Sequence, residues 1–392
     1  MVWLLNESNF TWKDRLKICA FFLNKKKFWT MADEVSKFET RMAEYVGSKY
    51  AIFVSSGSTA NTLIAMHLKD RLRAEGKNIV IFPSTTWITS VSPFLREGFT
   101  PHFIDITLKD LSLDLEKLEE YLKLNCNKVA CVFVTSLLGF SPNIDKLYDL
   151  SVKYGVKIML DNCESTFTRY KERNISFYFT STTSTYFGHQ IQSVEGGFVF
   201  TNCKKERDYF LMARNHGMVR SLSTEEDKIP FRNLDVDSRF DFNLLGNNFR
   251  NTNINAYIGQ LDIKRATKYT KKRKELYSFY LDKVKNISLL QTIEMRTGLY
   301  EDVPFSFPII FTEGGIKKDI ETRVLGADIE TRPIISGNLL RQTCLKEIAD
   351  ARSFPVSDFI HKNGFYVGLH NRVTKKHVTE LVEILKTGLS YF

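Results

Sequence analysis

Four short motifs in this chain combine residues that could together bind a phosphorylated, planar ligand and move its protons. The first is SSGSTAN at 55–61, in which Gly57, Ser58 and Thr59 lie where a strand would give way to a helix. Backbone N–H groups and hydroxyls at the start of a helix bind anions such as phosphate. No Gly-Lys-Ser/Thr follows, so the segment is not a Walker loop. By itself the motif also fits a plain helix cap.

Trp87 and Asp161 each follow a run of apolar residues. Trp87 ends FPSTTW (82–87), and Asp161 opens DNCES (161–165). A tryptophan could stack there on a planar ring. A carboxylate could keep a pyridine nitrogen protonated, as an electron-storing cofactor requires, and Glu164 could reach a hydroxyl of the same ring. Taken singly, both motifs also fit structural roles, a core or rim tryptophan and a helix-capping aspartate.

The fourth motif is STYFGHQIQSVEGG at 184–197, which places His189 five residues after Ser184 and six before Glu195. The glycines permit tight turns and a close backbone approach to a ligand. An imidazole, with an ordinary pKa of about 6.5, is suited to proton transfer near neutral pH. An isolated histidine is usually structural, but His189 has candidate ligand-binding residues on both sides.

A parallel sheet with crossover helices is predicted to position these motifs. From about residue 48, apolar β-branched runs alternate with helical periods. The predicted strands are 50–56, 78–83, 100–106, 129–137, 156–163, 176–182 and 196–202, and the predicted helices lie near 59–75, 87–97, 114–123 and 144–154. Ligands of such sheets bind beyond the carboxyl ends of the strands, which is where Trp87 and Asp161 lie.

The pattern changes after about residue 204. A polar stretch at 220–240 precedes a long charged helix, predicted at roughly 254–284. Strands at SFPIIF (306–311) and ETRPII (330–335) and a final helix, KKHVTELVEILKTGL (375–389), close the chain. We therefore predict a large α/β domain at 1–250 and a smaller C-terminal α+β domain at 251–392.

Composition excludes several classes of protein. The chain has 392 residues, of which 43% are hydrophobic and 26% charged, as expected for a folded protein rather than a disordered one. The net charge of +10 comes with only short basic clusters (25–27 and 271–274). Solvated surfaces explain such clusters, so no nucleic-acid partner is predicted. A positive field would also favour a phosphorylated substrate.

The spacing of the cysteines and the sequence of the N-terminus indicate which cofactors and which cellular location to expect. Six cysteines are spread singly along the chain, which argues against a zinc ribbon, a cysteine-bound iron–sulfur cluster or a disulfide framework. We therefore predict no metal. Charges interrupt each apolar run of residues 1–29 before it reaches the length of a signal or membrane segment. An amphipathic entry helix, a cytoplasmic location and no membrane partner are predicted.

The order of the four motifs, followed by GNNFRNTN at 246–253, resembles the sugar aminotransferase family of fold type I. The resemblance extends over about residues 28–390. It implies a fold type I pyridoxal phosphate (PLP)-dependent transferase, with a large domain built on a mostly parallel sheet and a smaller α+β domain. In that family, the position five after the phosphate-binding serine and six before Glu-Gly-Gly holds the lysine that binds the cofactor covalently. Here that position is His189.

With a histidine at this position, the chain resembles the dehydratase branch of the family, which acts on GDP-linked 4-keto-6-deoxymannose. FWTMADEVSKFET, NHGMVR, TRPIISGN and KNGFYVG are similar to segments of that branch. The resemblance implies a lyase of dideoxysugar and lipopolysaccharide O-antigen biosynthesis that removes the carbon-3 hydroxyl. It implies PLP and pyridoxamine phosphate (PMP) as cofactor, L-glutamate as amino donor, and a homodimer with shared active sites. The branch that acts on CDP-sugars uses a cysteine-bound iron–sulfur cluster, which the scattered cysteines disfavour.

The resemblance also implies roles for individual residues. His189 is the catalytic base, Trp87 stacks on the ring, Asp161 pairs with the pyridine nitrogen and Glu164 lies beside the ring hydroxyl. The remaining residues contact the phosphate or the substrates. Gly57, Ser58, Thr59 and Ser184 bind the cofactor phosphate, Asn248 reaches it from the second subunit, and His216, Arg220 and Arg332 lie near the sugar and the donor carboxylates.

Three departures from the family pattern leave the sugar and the nucleotide open. STFTRY replaces a Gly-Ala after DNCES, Gly188 stands where Ser or Thr is expected, and Asn247 replaces an aromatic residue. Two alternatives also stay open. An aminotransferase with an unusual base would need a lysine near the ring, and only Lys171 lies between Asp161 and Glu195. A non-catalytic PLP-fold binding protein would be expected to lack Asp161 or the phosphate site.

Overall fold

A computed structural model gives the fold and describes residues 2–72, 75–348 and 352–392. The helices are α1 (Trp12–Leu23), α2 (Asp33–Val46), α3 (Gly57–Leu72), α4 (Ile88–Arg96), α5 (Leu115–Asn125), α6 (Ile144–Tyr154), α7 (Lys204–Ala213), α8 (Glu225–Lys228), α9 (Asn253–Ile263), α10 (Ala266–Val284), α11 (Ile316–Gly326), α12 (Pro355–Asn363) and α13 (Lys375–Leu389). The strands are β1 (Tyr50–Val54), β2 (Ile79–Pro83), β3 (Thr100–Ile104), β4 (Val129–Thr135), β5 (Ile158–Asp161), β6 (Arg169–Tyr170), β7 (Arg173–Asn174), β8 (Thr180–Ser184), β9 (Gly197–Thr201), β10 (Leu290–Gln291), β11 (Tyr300–Glu301), β12 (Ser306–Phe311), β13 (Thr331–Pro333) and β14 (Gly364–Gly368).

Seven strands form the main sheet, in the order β1-β9-β8-β5-β4-β2-β3. β9 runs antiparallel to both of its neighbours, and the other pairs are parallel. Side chains of β2 alternate between the two faces. Val80 and Phe82 pack with α3 and α4, and Ile81 packs with α5 and α6. Both faces are thus covered by helices, which confirms the predicted mostly parallel sheet.

Two predicted elements are wrong in their bounds. The strand predicted at 176–182 is β8, which begins only at Thr180, because Asn174 accepts a hydrogen bond from Ser176 N–H and starts a short 3-10 turn. The long helix predicted at 254–284 is two helices, α9 and α10. The chain turns between them at Arg265, whose N–H donates to the Asp262 carbonyl at 2.9 Å.

A second sheet, in the order β10-β12-β14-β13, is antiparallel throughout. It packs with α10, α11 and α13 in an apolar cluster that also contains Trp3 and Leu5 from the N-terminus. β6, β7 and β11 form a small third sheet. The predicted entry helix is α1, which packs on α9 through stacked rings of Phe21 and Tyr257. Within the described ranges, no helix is long and apolar enough to cross a membrane.

Candidate functional site

A cavity of about 580 Å³ opens at the carboxyl ends of the parallel strands. The ends of β1, β4, β5 and β8 meet there, so motifs that lie far apart in sequence converge. Eight of the twelve predicted site residues line it: Gly57, Ser58, Trp87, Asp161, Glu164, Ser184, His189 and Arg332. Four do not: Thr59, His216, Arg220 and Asn248.

One end of the cavity is suited to a phosphate. Gly57 and Ser58 form the first turn of α3, where no earlier residue of the helix can accept from their N–H groups. Ser184, at the end of β8, lies beside them. Gly197 is required for this arrangement, because a Cβ there would lie 2.5 Å from Gly57 N. Thr59 has a different role: its hydroxyl accepts from Ser56 N–H at 3.0 Å and caps the helix.

The carboxylate of Asp161 is buried and held by three donors. It accepts from Asn61 Nδ2 at 2.9 Å, from the Ser90 hydroxyl at 2.7 Å and from Cys163 N–H at 3.1 Å. Asn61 is oriented in turn, because its Oδ1 accepts from Thr182. These contacts fix a negative group in the lining of the cavity, where it could pair with a protonated ring nitrogen.

Glu164 lines the same cavity. Its Oε2 accepts from Leu138 N–H at 2.9 Å. Burial raises the pKa of Glu164 from its ordinary 4.5 to about 7, against the weaker opposing effect of that hydrogen bond. A carboxyl group that holds its proton up to neutral pH can donate a hydrogen bond to an oxygen of a ligand.

Replacing Glu164 with glutamine is expected to stabilise the protein at pH 8 and to have a smaller effect near pH 5. The folded-state pKa lies above the unfolded one, so wild-type stability falls as the pH rises from about 4.5 through about 7. Glutamine does not ionise and can still accept from Leu138. Thermal unfolding of both proteins between pH 5 and 8 measures the difference, and a difference independent of pH would contradict the assignment.

His189 lines the cavity and lies on the loop between β8 and β9. Burial lowers the pKa of its imidazole to about 4, although the charge of Asp161 acts in the opposite direction. The ring is therefore neutral near pH 7. It lies edge-on to Tyr186 and Phe305, with ring centroids 5.9 and 5.7 Å away. A neutral imidazole in an apolar setting is a proton acceptor that becomes a strong acid once it is protonated.

Trp87 and Arg332 lie at the open side of the cavity. Trp87 is 55% exposed and comes immediately before α4. Arg332 lies in β13, paired in register with Tyr366 of β14, and both residues line the cavity. An aromatic face and a guanidinium at the entrance are suited to a planar ring and an anionic substrate group.

Three of the predicted residues lie together elsewhere on the surface. Asn248 is exposed, and the neighbouring Asn215 pairs with it in an isolated β-bridge. His216 donates its N–H to Asn247, and the exposed Arg220 lies 5.5 Å from the Phe240 ring. We call His216, Arg220 and Asn248 the second patch. It does not contribute to the cavity of its own chain.

Lys171 is not a substitute for the missing lysine. Its side chain is 52% exposed, and its ammonium group lies 3.1 Å from Asp145. It does not line the cavity, and among the described residues that do so there is no lysine. Lys171 was the one lysine between Asp161 and Glu195 that an aminotransferase could have used near the ring, and its position rules it out.

Several site residues escaped the sequence analysis. Asn61 is the last residue of SSGSTAN, so its place in that motif was a usable signal. Asn6, Phe305 and Tyr366 also line the cavity. Tyr366 belongs to KNGFYVG, but no role was predicted for it. Asn6 and Phe305 come from segments that carry no recognisable motif, and only tertiary packing brings them to the cavity.

The sequence matches the DegT/DnrJ/EryC1/StrS aminotransferase family over residues 14–386. It is 30% identical over 384 residues to the GDP-4-keto-6-deoxy-D-mannose 3-dehydratase of Escherichia coli O55:H7, which covers 96% of this chain and 98% of that one. The solved structure of the Escherichia coli enzyme with bound hydrated PLP has a TM-score of 0.90 at 28% identity, covering 98% of this chain and 100% of that one. A structure of the dehydratase with a trapped PLP–glutamate geminal diamine has the same TM-score, identity and coverage.

Proposed function

Because the chain belongs to the DegT/DnrJ/EryC1/StrS aminotransferase family, we propose that it is a PLP/PMP-dependent 3-dehydratase of a nucleotide-linked 4-keto-6-deoxy sugar. The observation that carries the proposal is a neutral histidine, His189, in the lining of a cavity whose described lining includes no lysine. The sugar is GDP-4-keto-6-deoxy-D-mannose, and L-glutamate regenerates PMP. The similarity to dehydratases of that name, one of them with PLP and glutamate, supports both assignments.

The residues of the cavity fit this cofactor. The free N–H groups of Gly57 and Ser58, with the Ser184 hydroxyl, would hold the phosphate. Asp161 would pair with the ring nitrogen and keep its proton, and protonated Glu164 would donate to the ring oxygen. Bound PMP supplies an amine for the 4-keto carbon and a ring that stores electrons.

The proton transfers fall to His189. Its neutral imidazole accepts the proton from the carbon that carries the cofactor amine. The imidazolium thus formed lies in an apolar environment that disfavours its charge, so it readily gives its proton to the carbon-3 hydroxyl, which leaves as water. A lysine amine at this position would hold the cofactor covalently and favour amino transfer. A histidine cannot form this covalent link, and hydrolysis by water then leaves a keto group on the sugar and releases the amine as ammonia.

Product analysis tests the function. Protein incubated with PLP, L-glutamate and GDP-4-keto-6-deoxy-D-mannose is expected to release ammonia and a sugar lighter by one oxygen atom. An amino sugar would instead indicate an aminotransferase, and binding without turnover would indicate a non-catalytic protein. Parallel reactions with CDP-, UDP- and dTDP-linked 4-keto sugars would test the nucleotide.

We also propose that the enzyme is a homodimer in which the second patch serves the cavity of the partner. Three residues that the resemblance places near cofactor or substrate lie outside the cavity of their own chain, yet lie near one another. Two of them, Arg220 and Asn248, are exposed. A twofold axis that placed the patch over the partner's cavity would complete both sites at once.

Two inactive variants are expected to restore activity when co-expressed. One carries His189→Asn, and the other carries Arg220→Ala and Asn248→Ala. In a shared-site dimer, each mixed dimer has one fully native site, so random assembly recovers about a quarter of wild-type activity. Each variant expressed alone is the control. Failure of the mixed dimers to exceed the two controls would contradict shared sites.

A further inference from the structure

The N-terminal residues 3–9, here called the N-terminal strap, are joined to the second sheet at one end. Trp3 forms a parallel bridge with Ile329 beside β13. Its indole N–H also donates to the Gly368 carbonyl at 2.9 Å. Gly368 allows this close approach, because a Cβ there would lie 2.1 Å from the Leu5 carbonyl oxygen. The start of the strap is therefore fixed independently of the catalytic loop.

The other end of the strap binds the loop that carries His189. Gln192, buried and three residues beyond the histidine, donates through Nε2 to the Glu7 carbonyl at 3.0 Å. Its Oε1 accepts from Asn9 N–H at 3.0 Å. Asp262 of α9 joins the two segments, because its Oδ2 accepts from both Gln192 N–H and Asn9 Nδ2. The strap thus holds the loop on the C-terminal side of His189.

Asn6 holds the same loop on the other side of His189. With its side-chain amide oriented so that the nitrogen, and not the oxygen, faces the two carbonyl groups, Asn6 donates to the Gly188 carbonyl at 2.8 Å and to the Leu5 carbonyl at 3.0 Å. Gly188 makes room for it: a Cβ at this position would lie 2.9 Å from the amide of Asn6 and 3.2 Å from the Tyr186 ring. Gly188, which stands where the family pattern has Ser or Thr, therefore lets Asn6 reach the loop and line the cavity.

The imidazole depends on this backbone for its position. Its Nδ1 is buried and has no hydrogen-bond partner among the residues that the structure describes. The edge-on contacts with the rings of Tyr186 and Phe305 do not fix the direction of a nitrogen. From these contacts we propose that Asn6 is a positioning residue, which sets His189 for proton transfer by holding the Gly188 carbonyl. The role in proton transfer rests on the proposed function, whereas the contact with the loop does not.

The experiment compares Asn6→Ala with Asn125→Ala. The control is matched, because Asn125 Nδ2 also donates to a backbone carbonyl, that of Tyr121, and neither residue lines the cavity. In cofactor-free protein the imidazole Hε1 resonance of His189, assigned by its loss in His189→Asn, is expected to shift in Asn6→Ala and to stay in place in Asn125→Ala. Because small displacements of a catalytic group are costly, kcat is expected to fall about tenfold or more with an unchanged KM.

A second variant tests the contact from the loop side. Gly188→Ser is expected to displace the Asn6 amide and shift the same resonance. Asn6→Ala/Gly188→Ser should lose less activity than the sum of the single variants, because the truncated side chain makes room for the new Cβ. An unmoved resonance in Asn6→Ala and Gly188→Ser, or additive losses, would overturn the proposal. If wild-type protein gave no 3-deoxy sugar, the proposed function would be wrong, while the resonance would still decide whether Asn6 holds His189.

Discussion

Replacing His189 with asparagine is expected to reduce the rate of deoxygenation by about a hundredfold or more while the fold is retained, the range that general acid–base catalysis supplies. Asparagine is similar in size and can form hydrogen bonds, but it cannot accept and return a proton. Within the described ranges of the chain Nδ1 has no hydrogen-bond partner, so the replacement leaves none unsatisfied at that atom. Ammonia release under saturating sugar and glutamate measures the effect.

His67 provides a matched control for this variant. Burial also lowers the pKa of His67 to about 4, but its side chain contacts Tyr209 and Glu206 on α7 and does not line the cavity. His67→Asn is expected to change the melting temperature and to leave kcat near the wild-type value. If His189→Asn retained wild-type turnover, or if both variants lost turnover equally, His189 would not be the catalytic base.

Replacing Asp161 with asparagine is expected to lower turnover by about a hundredfold to a thousandfold, as for the loss of one strong electrostatic contact in a catalytic site. The amide cannot keep the pyridine nitrogen protonated, so the ring stores electrons less well. Its NH2 group would also meet donors, because Cys163 N–H donates to one carboxylate oxygen and both Asn61 and Ser90 donate to the other. Cofactor affinity, measured by absorbance titration with PLP, is expected to fall together with turnover.

A second buried aspartate separates this effect from a loss of stability. Asp105 follows β3, is 2% exposed and accepts from Val356 and Ser357 N–H at the start of α12, outside the cavity. Asp105→Asn is expected to lower the melting temperature without changing the affinity for PLP. Equal losses of PLP affinity in the two variants would mean that Asp161 acts through the fold and not through the ring.

The sequence predicted those site residues that belong to motifs directly after strands. Asp161, Ser184 and Gly57 could be placed together because the carboxyl ends of neighbouring parallel strands share one edge of the sheet. Asn6 could not be placed, because its contact with Gly188 depends on how the N-terminus packs on a loop more than 180 residues away. The division into two domains near residue 250 stays a prediction.

The predicted limits of two elements were wrong where tertiary contacts override the local preference for strand or helix. β8 consists of Thr and Ser residues, all of them buried except Thr180, and its hydroxyls form hydrogen bonds, as in the contact from Thr182 to Asn61 at 2.7 Å. The aromatic residues just before it have the higher strand propensity. The break between α9 and α10 follows from contacts of Arg265 with Asn9 and Leu261, which leave no mark on the charged helical pattern.

The absence of lysine from the described lining of the cavity has a consequence for handling and regulation. Without a covalent link to the protein, the fraction of the enzyme that carries the cofactor is an equilibrium quantity, set by the concentration of free PLP or PMP. Dialysis should remove the cofactor from the protein, and reduction with borohydride should not attach the cofactor to it covalently. By mass action, ligand at a hundred times its dissociation constant stabilises a protein by about 2.7 kcal/mol. The melting temperature of this protein should therefore report the supply of vitamin B6, and turnover in the cell should rise and fall with that supply.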